Sequence, residues 1–216
     1  MDSFVIHSVP GSPFGRTVLA VLIEKGAPFQ FKRLTAGTLK SPEHLARHPF
    51  GKLPSCAHGA VQIYETQAIV RYIDRVIPAP ALTPLDPARA ARMDQAMGIV
   101  DCYLFPKVSA PIGFQRVVGP ILLGTTPDLA VIEAAMPDGH VAFGALAGLL
   151  GGDPYLAGDA VSLADFLVFP HFDFLARTPE LAALTADHTG LADWVARMAR
   201  LPSIEATTTA AVAAMG

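Results

Sequence analysis

The chain has 216 residues, 51% of them hydrophobic and 16% charged, with a formal net charge of −3. This length holds one large domain or two small ones, each with its own core, and the composition excludes a disordered chain. The charge balance, with no basic stripe, excludes nucleic acid as a partner class.

The start, Met1-Asp2-Ser3, lacks the basic and apolar regions of a signal peptide. Phe4-Val5-Ile6 reads as a strand, followed by the turn-rich Val9-Pro10-Gly11-Ser12-Pro13. Val18, Leu19, Leu22 and Ile23 recur at helical spacing up to a stop at Gly26. Phe29 to Leu34 is a second strand, so strand, helix, strand predicts a parallel pair. Pro42 to Arg47 predicts a short helix. Ser55 to Ala57 and Val61 to Tyr64 predict a hairpin around His58-Gly59-Ala60, and Glu65 to Val76 another helix.

The proline-rich stretch from Ile77 to Pro84 cannot continue a helix and marks a boundary. The expected organisation is therefore an α/β domain over 1–77, a linker over 78–86 and an all-α domain over 87–216. Met93, Met97, Val100 and Leu104 share one helix face, as do Phe143, Leu146, Ala147 and Leu150. Mean hydropathy is +0.40. The uncharged run Gly139 to Gly152 has 14 residues, short of the about 20 needed to span a membrane, so a buried core helix and no membrane partner are expected. Asp187 to Arg200 predicts a further helix, and Glu205 to Gly216 a frayed or weak final one. Cys56 and Cys102 lie outside any C-x-x-C pattern, which predicts no disulfide framework and no metal site.

Three segments carry chemistry. Ser12 stands between a strand end and a helix N-terminus, where free amides and the helix dipole favour an anion. Its hydroxyl there can donate to a thiolate and lower the thiol pKa, or it can serve only as a helix cap. In His48-Pro49-Phe50-Gly51-Lys52-Leu53-Pro54-Ser55, a proline just before a strand is a candidate cis bond. That would free the Leu53 backbone to pair with an extended peptide; an ordinary trans proline is the alternative. In Tyr64-Glu65-Thr66-Gln67-Ala68-Ile69, Glu65 suits an ammonium and the helix start with Thr66 suits a carboxylate. Together they match an α-amino acid head group, or else a solvated capping arrangement.

Taken together, these segments resemble the cytosolic glutathione transferases, most closely the phi-like group with an active-site serine. The matching residues are Gly11-Ser12 through Glu24-Lys25-Gly26, His48 to Pro54, and Glu65-Thr66-Gln67-Ala68-Ile69. Leu156 to Asp165 resembles the family's folding motif, with Ser162 and Asp165 at capping-box spacing. The resemblance implies a thioredoxin-like N-terminal domain with an all-α C-terminal helical domain, and a cytoplasmic homodimer serving detoxification. It implies a glutathione transferase that conjugates the glutathione thiolate to small hydrophobic electrophiles, with glutathione as co-substrate.

The roles it implies follow the matching positions. Ser12 bonds the sulfur, Leu53 pairs with the cysteinyl backbone beside a cis Pro54, and Glu65 and Thr66 hold the γ-glutamyl group. Lys40 and Lys52 reach carboxylates as point charges. Phe14, Tyr103, Ile112 and Phe114 are expected to line the electrophile pocket. A glutathione-dependent peroxidase or isomerase would use the same thiolate, and a non-catalytic glutathione-binding protein the same fold. Ser8 is the rival hydroxyl, with a turn role expected. The usual His before Lys40 is Leu39 here, and His48 stands where the family has Asn.

Overall fold

Phe4, Ile6 and Ser8 are buried and alternate with half-buried Val5 and His7, the period of a strand, which makes β1 (Phe4–Ser8). The computed structural model describes residues 2–215. β1 leads into α1 (Pro13–Glu24), and β2 (Phe29–Arg33) returns parallel to β1. A short 3₁₀ turn (Ala36–Thr38) and α2 (Pro42–Arg47) follow. β3 (Ser55–His58) and β4 (Val61–Tyr64) form a hairpin with Gly59 at φ +56°, and α3 (Thr66–Val76) closes the motif. Among the described residues the sheet order is β2-β1-β3-β4, with β1 antiparallel to β3 and β3 to β4. This is the expected thioredoxin-like arrangement.

α1 ends in a Schellman motif. Gly26 at φ +60° lets its own amide reach the Ile23 carbonyl and the Ala27 amide reach Leu22, both at 2.9 Å. Beside it, Lys25 and Asp74 form a buried ion pair at 2.5 Å. Asp74 also accepts from the Leu82 amide at 3.0 Å, and Lys25 donates to the Pro80 carbonyl. The pair ties α1, α3 and the proline-rich segment together. Each ion keeps further partners, as a buried charge requires.

The chain divides into two units: one up to Leu82 together with the chain from Ala199 onward, the other Thr83–Met198. In the second, α4 (Pro87–Ile99) starts at Asp86, whose carboxylate accepts from the Arg89 amide at 2.9 Å. The rod continues as a π-helical segment (Val100–Ser109), α5 (Ala110–Gly113), a second π-helical segment (Phe114–Val118) and α6 (Gly119–Leu123). Pro106 lies within the first wide segment, where a missing amide would interrupt the ordinary ladder. Met93, Met97, Val100 and Leu104 are fully buried, as their spacing predicts.

α7 (Leu129–Leu150) covers all but the last two residues of the run expected as a buried core helix. It is longer than that run and only one face is inward. Ile132, Ala135, Gly139, Phe143, Leu146 and Leu150 are buried, whereas Val141 is 73% exposed. By length and composition alone it could cross a membrane. Its inward stripe instead packs on the first π-helical segment. α8 (Leu163–Leu175), α9 (Glu180–Thr185) and α10 (Thr189–Met198) complete the unit.

The sequence places the segment from Ala199 onward in the helical domain 87–216, but it packs with the first unit. It forms α11 (Pro202–Glu205) and α12 (Thr209–Ala213); Gly216 lies outside the described residues. The reason is polar contact across the chain: Ser203 donates to Glu24 at 2.6 Å and Arg16 donates to the Ile204 carbonyl at 3.3 Å.

Asp165 holds the second unit together. Its buried carboxylate accepts four hydrogen bonds, from the Ser162 amide (2.8 Å), the Ser162 hydroxyl (2.8 Å), the Leu156 amide (2.9 Å) and Trp194 Nε1 (2.8 Å). The expected capping box is therefore present and serves folding. Asp165→Ala strands several buried donors and is expected to cost about 3 kcal/mol or more. Urea unfolding would measure it, and a loss below about 1 kcal/mol would contradict this account.

Candidate active site

The sheet register builds one edge. Ser55 faces His7 of β1 on one side and Tyr64 of β4 on the other. The end of β1, the start of β3 and the end of β4 therefore coincide. The residues just beyond them, Ser8 to Ser12, Leu53-Pro54 and Glu65-Thr66, meet at that edge. So do the N-termini of α1 and α3.

Ser12 is the N-cap of α1, with φ −71° and ψ 121°. Its Oγ accepts from the Gly15 amide at 3.1 Å. Capping consumes an acceptor position and leaves the hydroxyl proton for another partner. The cap and the thiolate donor, alternatives in sequence, are thus compatible. Ser8, the rival hydroxyl, is fully buried and its Oγ has no hydrogen-bond partner among the described residues. Gly15 lies directly on it: a Cβ there would stand 2.1 Å from Ser8 Oγ and 3.4 Å from Ser12 Cβ. Glycine at 15 is what lets the first turn of α1 seat Ser12 over Ser8.

The Leu53–Pro54 bond is cis, and Leu53 is half-buried. The loop before it is pinned from two sides. His44 Nε2 donates to the Lys52 carbonyl at 2.7 Å, and Lys40 donates to the Phe50 carbonyl at 3.3 Å. Gly51, at φ +61°, passes so close that a Cβ would meet the Leu39 carbonyl at 2.7 Å. Lys40 and Lys52 are exposed.

Glu65 is the one non-glycine residue with positive φ among the described residues, at φ +71° and ψ 119°. Such a backbone costs on the order of 1–3 kcal/mol and collects at functional sites. Glu65 is the N-cap of α3 yet makes no side-chain cap bond, and it is exposed. Thr66, the first helical residue, is buried. The arrangement offers a carboxylate to a cation and a helix start to an anion.

Phe14 is half-buried on the first turn of α1. In the second unit Tyr103 is 55% and Phe114 42% exposed. Ile112, expected with them as pocket lining, is fully buried and packs as a core residue. Sequence reasoning missed Gly15 and His44. Glycine at 15 shows its purpose only against Ser8, and His44 only through a bond eight residues on. The strain at Glu65 leaves no trace in composition or spacing.

Family models of the glutathione S-transferase N-terminal domain and C-terminal domain match residues 6–81 and 104–202. Glutathione S-transferase 3 of Zea mays is 35% identical over 76% of this chain and 75% of its own. Probable glutathione S-transferase GSTF2 of Oryza sativa subsp. japonica is 32% identical over 84% of this chain and 85% of its own. The solved structure of glutathione S-transferase-I bound with the ligand lactoylglutathione superposes with a TM-score of 0.84 at 25% identity. It covers 99% of this chain and 100% of that one.

The two thiols differ sharply. Cys56 is buried in β3, and burial pushes its thiol up to about 12, whereas Cys102 is exposed. A thiol reagent at pH 8 is therefore expected to modify Cys102 in the native protein and Cys56 only after unfolding. Rapid labelling of Cys56 by peptide mapping would contradict the buried assignment.

Proposed function

The chain belongs to the glutathione S-transferase family, and we propose that it joins the thiolate of glutathione to small hydrophobic electrophiles at the edge built by Ser12, Leu53-Pro54 and Glu65-Thr66. The observation that carries this assignment of roles is the strained, uncapped Glu65 at the same sheet edge as the Ser12 hydroxyl. In this reading Glu65 takes the γ-glutamyl ammonium, and Thr66 with the start of α3 takes its carboxylate. The Leu53 backbone pairs with the cysteinyl unit, and Lys40 and Lys52 neutralise carboxylate charge.

Ser12 acts on the sulfur. Its oxygen is held by the Gly15 amide, which leaves its proton free to donate. Donation to sulfur, with the α1 N-terminus behind it, favours the thiolate at neutral pH. The thiol proton passes to solvent. The sulfur lone pair then forms the C–S bond while the leaving group departs with its bonding electrons, or the adduct takes up a proton where nothing leaves. Preorganised charge stabilisation and positioning are the protein's contribution. Phe14, on the first turn of α1 two residues after Ser12, offers an apolar surface for the electrophile. A cytoplasmic homodimer is part of the same reading and rests on family membership.

Ser12→Ala is expected to lower kcat/KM about 10²-fold or more while the glutathione Kd stays within about twofold. Turnover like wild type with 1-chloro-2,4-dinitrobenzene would sink the role. Glu65→Gly relieves the backbone cost and is expected to unfold no earlier than wild type, yet to bind glutathione roughly 10- to 100-fold more weakly. Calorimetric titration beside a melting curve separates the two effects; an unchanged Kd removes Glu65 from the site.

A further inference from the structure

Behind the edge lies a cluster of four rings. The His48 side chain, 2% exposed, sits with its ring centroid 4.9 Å from Tyr64 and 6.3 Å from both Phe50 and His44. Phe50 and Tyr64 also meet edge to face at 6.3 Å. These residues come from three places: His44 from α2, His48 and Phe50 from the loop after it, Tyr64 from the last position of β4. Two of them adjoin residues assigned to glutathione. Phe50 accepts the Lys40 bond and stands two residues before Lys52, and Tyr64 immediately precedes Glu65.

We infer that His48 is a positioning residue for the glutathione site: its neutral ring locks the Lys52–Leu53 loop to the Tyr64–Glu65 corner, and charging that ring weakens glutathione binding. The inference rests on the proposed binding role of this edge. Each step has a physical cause. His48 Nδ1 is buried with no hydrogen-bond partner among the described residues, so a proton there would be desolvated and unpaired. His44 does not pair with it: the proton on its Nε2 goes to the Lys52 carbonyl, and its Nδ1, left as an acceptor, makes no hydrogen bond among the described residues. The charged and titratable groups acting on His48 are Glu65 from the β4–α3 corner, His44 from α2 and Lys52 from the loop. Burial holds its pKa below the ordinary imidazole value; Glu65 pulls the other way, and His44 and Lys52 add to the depression.

The ring is therefore neutral at pH 7 and takes its proton only below the usual range near 6.5. Once charged, it repels Lys52 and competes with the ligand ammonium for the Glu65 carboxylate. The sign follows from linkage: the liganded state prefers neutral His48, so affinity is lost as pH falls through the His48 pKa, by at most tenfold per pH unit.

The test is the Kd of S-methylglutathione between pH 5.0 and 8.0. This probe has no thiol to titrate, and the window stays above the ordinary carboxylate range near 4. Wild type is expected to bind evenly above pH 7 and progressively more weakly below it. His48→Phe keeps a ring in the cluster but cannot charge. It is expected to match wild type within about twofold at pH 7.5 and to lose the acid limb. His48→Ala, which removes the ring, is expected to bind about tenfold more weakly across the range, the scale of lost aromatic contacts. An acid limb that persists in His48→Phe, or a flat wild-type profile, overturns the inference while leaving glutathione binding intact. Failure of wild type to bind the probe at pH 7.5 overturns both.

Discussion

Everything at the candidate site depends on one register: Ser55 paired with His7 on one side and Tyr64 on the other. Sheet pairing repeats every two residues, so a slip of one would turn the buried Phe4 and Ile6 outward and break the core beneath α1. The hydrophobic pattern therefore enforces the register. The register in turn fixes where Ser12, Pro54 and Glu65 emerge, although about 40 and 10 residues of chain separate them. Core packing and ligand geometry are two consequences of the same constraint.

Helix starts in this chain show how capping and function divide the same chemistry. Ser41, Asp86, Asp128 and Thr208 cap their helices with side-chain bonds to the backbone, and Asp165 completes a buried box. Ser12 caps as well, yet a hydroxyl accepts and donates independently, so its proton stays available. Glu65 holds the cap position of α3 with no cap bond, on a backbone glycine would fill more easily. A residue that forgoes local satisfaction and tolerates strain points to support from outside the helix, which in the proposed reading is a ligand ammonium.

Much of this was legible in the sequence. The apolar run Phe4 to Ile6, the helical spacing of Val18 to Ile23 and the stop at Gly26 are local signals, and the structure follows them. The cis bond at Pro54 was also marked, because X-Pro is the one place such a bond is cheap. What escaped depends on contacts distant in sequence. The attachment of α11 to α1 rests on Ser203 and Glu24, 179 residues apart. Ile112 is core because of what packs around it, which helical spacing alone cannot separate from a pocket wall. The φ of Glu65 is a backbone property that its identity argues against, since Gly or Asn would be read there first.

The sheet edge also explains why the chain activates a sulfur it does not own. The protein thiol nearest to it in sequence is Cys56, two residues after Pro54. It is buried in β3, where burial raises its pKa to about 12 and leaves almost no thiolate at neutral pH. At the helix start, where dipole and amides would stabilise a thiolate, the chain places a hydroxyl. A hydroxyl there cannot serve as the thiolate, but it can donate to one that arrives. Serine at 12 with an inert cysteine at 56 thus describes a site whose reactive sulfur comes with the ligand. In the proposed reading the Glu65 corner and the His48 cluster hold that ligand's far end, so that its sulfur meets the Ser12 hydroxyl.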